Sequence, residues 1–201
     1  MNMQIGAPPA ESLLDDPLAL FYACHRRVEF FLNILLNVTQ ASQGRTLTFE
    51  QQNALKPALR YFREAAPLHT LDEEQSLFPR LQKIQYQNKK TLLHILETLK
   101  QGHHQAEDDH KKVEQCFKTW LDLGQLSAKM YAGLSETLKR LSDFYEAHIQ
   151  AEEREVFPIA QKALSPADII ALGREMAIRR GLDPDALYKV TAQLKQGHRP
   201  A

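Results

Sequence analysis

The stretch His69-Thr70-Leu71-Asp72-Glu73-Glu74-Gln75-Ser76-Leu77-Phe78-Pro79 returns, at its fixed positions, as His148-Ile149-Gln150-Ala151-Glu152-Glu153-Arg154-Glu155-Val156-Phe157-Pro158. The shared pattern is HxxxEExxxFP, and every fixed position is displaced by 79 residues. His and Glu at i, i+4 leave a helix from one face, so an imidazole nitrogen and a carboxylate oxygen can share a metal ion. Two such pairs in one small helical protein predict a two-metal site between helices.

The rest of the chain is compatible with that reading. Its 201 residues suffice for one domain with a core. Apolar residues make up 43 % and charged residues 25 %, as in an ordinary soluble globular protein. Basic and acidic residues number 25 each and cancel, which leaves no electrostatic footprint for nucleic acid or an anionic membrane. No apolar run reaches the ~18–20 residues of a spanning helix. The first residues, MNMQIGAPPAESLLDD, lack the basic and apolar regions of a secretory signal. Cys24 and Cys116 both fall in helical patterns, so no disulfide framework is expected and a reducing cytoplasm is the expected setting.

Period-2 alternation is absent, and nearly everything reads as helix. Residues 1–16 form a flexible lead-in. A first helix is expected over about Pro17–Thr39, with Leu18, Phe21, His25, Val28, Leu32 and Leu35 as its inward stripe. After a loop at Gln43-Gly44-Arg45, Thr48 and Gln51 form a capping box for a second helix that passes His69 to about Ile84. Pro57 and Pro67 should kink it or interrupt its hydrogen-bond ladder. The third helix covers about Thr91–Leu123, with Leu96, Leu99, His103, Ala106, His110, Val113, Phe117 and Trp120 inward. Gly124-Gln125 connects it to a fourth, about Ser127–Ala163, whose stripe is Leu134, Leu138, Leu141, Tyr145, His148 and Glu152. Short connections and the 79-residue offset predict an all-α fold, an antiparallel up-down four-helix bundle made of a duplicated helical hairpin over residues 17–163. Residues 164–201 form a C-terminal helical extension. Ser165-Pro166-Ala167-Asp168 opens a fifth helix that closes near Arg179-Arg180-Gly181, and Asp183-Pro184 starts a last short one.

Histidine and carboxylate donors suit iron, manganese or zinc, and the absence of paired Cys argues against a thiolate site. The repeated string supplies His69, Glu73, His148 and Glu152. One further ligand is needed from each remaining helix. The first offers His25, 44 residues before His69. The third offers His103, His104 and His110. His104 keeps the 79-residue register with His25 but falls one step off the inward stripe. His103 lies on the stripe, 45 residues before His148, and shares with His25 a Glu at +4, Glu107 and Glu29 respectively. His110 is on the stripe but about 10 Å further along the axis. His103 ranks first, His110 second and His104 third. Five histidines have Glu at +4, so HxxxE alone carries little weight; the longer string repeated in phase carries much more. Phe78-Pro79 and Phe157-Pro158 read as packing and helix-end features. Tyr22 and Tyr145, each three residues before a ligand candidate, read first as core packing and second as hydrogen-bond partners of the site. Glu29 and Glu107 are candidates to orient His25 and His103, against the plainer reading of solvated surface carboxylates. Cys24 reads as a small buried residue.

These residues resemble the hemerythrin-like family, the HHE cation-binding domain, over about residues 17–163. Its pattern H…HxxxE…H…HxxxE falls on His25, His69, Glu73, His103, His148 and Glu152. The resemblance implies a cofactor of two iron ions, a non-haem di-iron centre with histidines capping each ion and Glu73 and Glu152 bridging them; manganese or zinc would suit the same donors. It also implies a small ligand, O2, NO or peroxide, and a role in binding or sensing O2, NO or iron. The segment Met176–Gly181 looks like a C-terminal extension seen in bacterial members. Two departures matter. Where the oxygen carriers of marine invertebrates have HxxxH on the third helix, this chain has Glu107 after His103. Where they have HxxxxD on the fourth, it has Glu152 at +4, with Glu153 at +5 as a further ligand candidate. Both argue against reversible oxygen storage. The iron–sulfur repair members carry an additional cysteine-bearing N-terminal domain that these residues lack, which argues against repair. An enzyme acting on peroxide or oxygen, and a metal-stabilised interaction module using the fifth helix, stand as alternatives.

Overall fold

The computed structural model describes residues 16–185, and these are helical apart from short connections. The lead-in through residue 15 and most of the short helix expected from Asp183-Pro184 lie outside the described residues. Helix α1 spans Pro17–Ser42, three residues longer than its sequence pattern suggests. The Asp16 side chain caps it by accepting from the Ala19 N–H at 3.0 Å. It ends where Gln43 (φ 51°) and Gly44 (φ 77°) enter the left-handed region. The second rod is α2 (Phe49–Arg60), α3 (Ala66–Asp72) and α4 (Phe78–Leu81), joined by π-helical turns at Tyr61–Ala65 and Glu73–Leu77. The expected Thr48/Gln51 capping box starts it. Helix α5 covers Lys89–Leu123. Helix α6 (Ala128–Ala151), a π turn (Glu152–Val156) and α7 (Phe157–Ala163) form the fourth rod, and α8 covers Pro166–Arg179 behind a Ser165/Asp168 capping box.

Each π turn is followed, two residues beyond its end, by a proline. The N–H of Ala66 bonds the carbonyl of Tyr61, that of Phe78 bonds Glu73, and that of Phe157 bonds Glu152, all five residues back. Pro67, Pro79 and Pro158 come next. A helical proline has no N–H to give and its ring collides with the carbonyl four residues back. One extra residue in the turn moves that carbonyl aside and lets the helix go on. The Phe-Pro pairs are therefore not helix ends, as their sequence suggested, since the rods continue to Leu81 and Ala163. Pro67 interrupts the ladder as expected, whereas Pro57 sits inside unbroken α2.

Tertiary pairs follow a consistent sense. Phe21 meets His69 and Phe31 meets Tyr61 between α1 and the second rod. His103 meets His148 and Asp109 meets Arg140 between α5 and α6. At one end the Leu126 N–H donates to the Gly44 carbonyl and the Trp120 indole to that of Arg45, tying the two hairpin loops together. The apolar core is split in two. One cluster holds Leu20, Phe21, Leu77, Phe78, Leu96, Leu99, Val156 and Phe157. The other holds Val28, Leu32, Ala106, Val113, Phe117, Trp120 and Ile149. No helix among the described residues is long and apolar enough to cross a membrane.

The extension docks by charge as well as by Leu172, Met176 and Ala177, which are buried. Asp72 is fully buried and accepts from Arg179 at 2.8 Å and Arg180 at 2.7 Å; Arg179 also donates to Ser76 Oγ at 2.6 Å. Arg80 donates to both oxygens of Glu175, at 3.0 and 2.7 Å. Helix α8 is thus held intramolecularly, directly behind the π turn that begins at Glu73. Removing one partner of a buried ion pair leaves the others uncompensated, so Asp72→Asn should lower unfolding stability in urea by about 3 kcal/mol. Arg179→Ala or Arg180→Ala, each leaving one arginine in place, should cost less.

Candidate metal centre

On each of the four rods, the polar residues picked from sequence fall in the gap between the two apolar clusters. His25 lies between Cys24 and Val28, His103 between Leu99 and Ala106, and Glu152 between Ile149 and Val156. Glu73 and Glu152 are fully buried, and His25, His69 and His148 nearly so. The packing of the two clusters turns these side chains toward one another.

Their atoms form two sets. His25 Nε2 is 3.0 Å from Glu152 Oε2, and His69 Nε2 is 3.1 Å from Glu73 Oε1. His103 Nε2 is 3.3 Å from Glu73 Oε2, and His148 Nε2 is 3.2 Å from Glu152 Oε1. Within each set, His25–His69–Glu73–Glu152 and Glu73–His103–His148–Glu152, the donor atoms lie within 4.8 Å of one another. Each glutamate gives one oxygen to each set. All six residues chosen from sequence are therefore brought together, while His104 is exposed and His110 lies outside both sets.

The arrangement fits metal ions better than it fits hydrogen bonding. Despite the short separations, His25 Nε2, both oxygens of Glu73 and both oxygens of Glu152 have no hydrogen-bond partner. Buried polar atoms are rarely left so. Metal–ligand bonds of ~2.1 Å set at right angles place neighbouring donors ~3.0 Å apart, without either pointing at the other. Electrostatics agree. Burial, reinforced by the charge on Glu152, pushes the Glu73 carboxyl well above its usual range. Burial opposes ionisation of Glu152 too, but His148 and His25 outweigh it and hold that carboxyl well below. Two carboxylates buried side by side cannot both stay charged unless cations sit between them. Burial, together with the charge on His25, likewise keeps His69 neutral, the form that offers a lone pair.

A family model for the hemerythrin HHE cation-binding domain matches residues 16–160. This chain belongs to that family. An uncharacterized protein of Haemophilus influenzae (strain ATCC 51907 / DSM 11121 / KW20 / Rd) is also similar, with 27 % identity over 183 residues, 89 % of this chain and 98 % of its own length.

In this hemerythrin-family site the outer nitrogens of two histidines are held across helix interfaces. His25 Nδ1 bonds Glu153 Oε1 at 2.9 Å, and His103 Nδ1 bonds Glu74 Oε1 at 2.7 Å. These partners are the second Glu of each HxxxEE string. A carboxylate on the outer nitrogen fixes the tautomer and ring orientation of a ligating imidazole. Glu29 and Glu107 do not have this role. They face solvent and pair with Arg26 at 2.9 Å and Lys111 at 2.7 Å. Glu153 faces the back of His25, and neither donor set includes it. Phe157 stacks on His25 and Phe78 lies parallel to His103, so the two phenylalanines pack against the site as expected.

One side of the site opens on a cavity of about 380 Å³, lined by His25, His69, His103 and His148 and, farther out, by Phe62, Ala106, His110 and Tyr145. Tyr22 is partly exposed and lies edge-on to Phe157, a packing role. Tyr145 hydrogen-bonds His110 Nε2 at 2.8 Å, a polar role that its place on the inward stripe did not reveal. Gly102 makes room beside them, because a Cβ there would lie 2.6 Å from the ring of Phe144, which flanks His148.

Burial lowers the His110 pKa to about 4. Unfolded, the group titrates near the ordinary histidine value of ~6.5, so the unfolded chain binds more protons between the two values. Above pH ~6.5 His110 is neutral in both states and titration costs the fold nothing; as pH drops toward 4 the fold loses stability, by at most about 3 kcal/mol. Urea unfolding at several pH values should show a shallower slope across that window in His110→Leu than in the parent.

Proposed function

We propose that this protein is a non-haem di-iron member of its family that binds or senses O2, NO or iron. The observation that carries the reading is the pair of two-nitrogen, two-oxygen sets sharing both carboxylates. In it, His25 and His69 would hold one ion and His103 and His148 the other, with Glu73 and Glu152 serving both sets. The sense of the helix pairs supports an antiparallel up-down four-helix bundle of two hairpins as the scaffold.

Bound iron would supply redox chemistry and open coordination positions for a small oxygen- or nitrogen-containing ligand. The residues do the rest. Four protein donors around each ion would leave room for a further small ligand. Glu74 and Glu153 keep the ring nitrogens of His103 and His25 aimed inward. Phe78, Phe157 and Phe144 limit water around the donors. Nitrogen and oxygen donors alone also accept manganese or zinc, so the metal is an assignment that elemental analysis decides. The two cysteines, neither in a disulfide, support a cytoplasmic setting. A di-iron enzyme acting on peroxide or oxygen is the second reading, favoured by the cavity, which is larger than a diatomic ligand needs.

Anaerobic reconstitution with ferrous iron should give about two ions per chain, with raised thermal stability that chelator reverses. Spectra taken on adding O2, NO or peroxide then separate a lasting change, expected of a binder, from turnover. His103→Ala should lose far more metal than His104→Ala or His110→Ala. Equal metal content in the three would remove His103 from the site. Glu74→Gln and Glu153→Gln, which spare all six donors, should weaken metal affinity about 10–100-fold in a chelator competition.

A further inference from the structure

The cavity beside the donor layer does not match a diatomic gas in size. At about 380 Å³ it is some tenfold larger than the ~30 Å³ a water molecule occupies, and apolar cavities of ~150 Å³ already accept benzene. Val28, Phe62, Ala66, Leu71, Ala106, Phe144 and Ile149 give it largely apolar walls. None of its lining residues is Lys or Arg, whereas Glu74 and Glu107 are among them, so no lining Lys or Arg would offer an anionic guest a counter-charge.

Besides Thr70, Glu74, His104 and Glu107, the lining carries a hydrogen-bonded pair, His110 and Tyr145. His110 stacks on Phe62 with ring centroids 4.4 Å apart, and its Nδ1 is buried without a hydrogen-bond partner. With Tyr145 donating to Nε2, its hydroxyl oxygen can still accept; with the roles reversed, the hydroxyl can still donate. Such a group complements a hydroxyl, which both donates and accepts. The duplicated hairpin shows that the donor layer does not require this pair. His110 lies seven residues after His103, and the residue seven after His25 is Leu32; Tyr145 lies three before His148, and the residue three before His69 is Ala66. The first hairpin supports its histidines with an apolar pair at those places.

We propose that the cavity is a binding site for a small, neutral, ring-sized organic molecule bearing one hydroxyl group, a phenol or comparable alcohol, whose hydroxyl is held by that of Tyr145, itself oriented by His110. If the metal reading above also holds, the molecule lies beside the ions, but its binding does not depend on them. Burial keeps His110 uncharged at neutral pH, in keeping with a neutral guest.

The test is calorimetric titration of the full chain with phenol, and with toluene as the hydroxyl-free probe, with metal content measured on the same samples. Phenol should bind saturably, one per chain. Tyr145→Phe should weaken phenol about tenfold, the worth of one hydrogen bond, and leave toluene within about twofold. Ala106→Phe, which fills the cavity, should abolish both; if circular dichroism shows that variant unfolded, Ala66→Phe at the same cavity takes its place. Absence of saturable phenol binding overturns the proposal. So does binding untouched by the filling variant, or an equal loss of phenol and toluene in Tyr145→Phe. Phenol binding in protein that takes up no metal upholds this inference and defeats the metal reading, while two bound metal ions with no phenol binding do the reverse.

Discussion

Two carboxylates buried at full depth in a helical core govern this structure. Glu73 and Glu152 lie within reach of each other's imidazole partners and have no hydrogen bonds. With no cation between them, desolvation and mutual repulsion act together to drive a proton onto one of the two, Glu73. Everything around them reads as accommodation of that cost. The apolar core is divided into two clusters so that a polar layer can pass between them. Four imidazoles face the oxygens, and two further carboxylates brace the rings from behind. A bare buried ion pair would be a poor way to stabilise a bundle; a layer whose donors converge at metal–ligand spacing is better explained as a site.

The duplication explains how the layer is made. Helix α1 and the second rod contribute both histidines of one donor set, α5 and the fourth rod both of the other, and the two glutamates belong to both sets. The bracing also crosses, with Glu153 of the second hairpin holding His25 of the first and Glu74 of the first holding His103 of the second. Neither hairpin can complete a site alone. The Phe-Pro end of each string belongs to the same construction. A π turn that begins at the donor glutamate accommodates the proline, and the phenylalanine before the proline covers a histidine.

Much of this was legible in the sequence because helix periodicity and the repeat are one-dimensional signals. The rods, the Thr48 and Ser165 caps, and the inward positions of His25, His69, Glu73, His148 and Glu152 all follow from spacing along single helices. What spacing misread were relations between helices or within the ladder. Glu29 and Glu107 satisfied the i, i+4 rule yet turned to Arg26 and Lys111, because the outer nitrogens of His25 and His103 face neighbouring rods and meet carboxylates arriving from there. The doubled glutamate in HxxxEE was the available clue, for only one Glu of each string is needed as a donor. Pro79 and Pro158 were read as helix ends because proline usually stops a helix; that a π turn carries the rod past them is not written in periodicity.

The departure from two-fold likeness between the hairpins bears on what the site is for. The donor layer is nearly symmetric, as expected when both halves must satisfy the same charges. The cavity is not. It places a histidine–tyrosine pair over the second hairpin where the first has Leu32 and Ala66. Burying that pair is unfavourable for the fold: His110 gives up its ordinary basicity, the Tyr145 hydroxyl is desolvated with its pKa raised, and one ring nitrogen goes unsatisfied. A feature that costs stability, is absent from the equivalent half, and faces a cavity beside the donor atoms is more economically explained by something that occupies the cavity than by packing. The symmetric layer answers to the charges its two halves share, and the asymmetric wall answers to the guest proposed for the cavity.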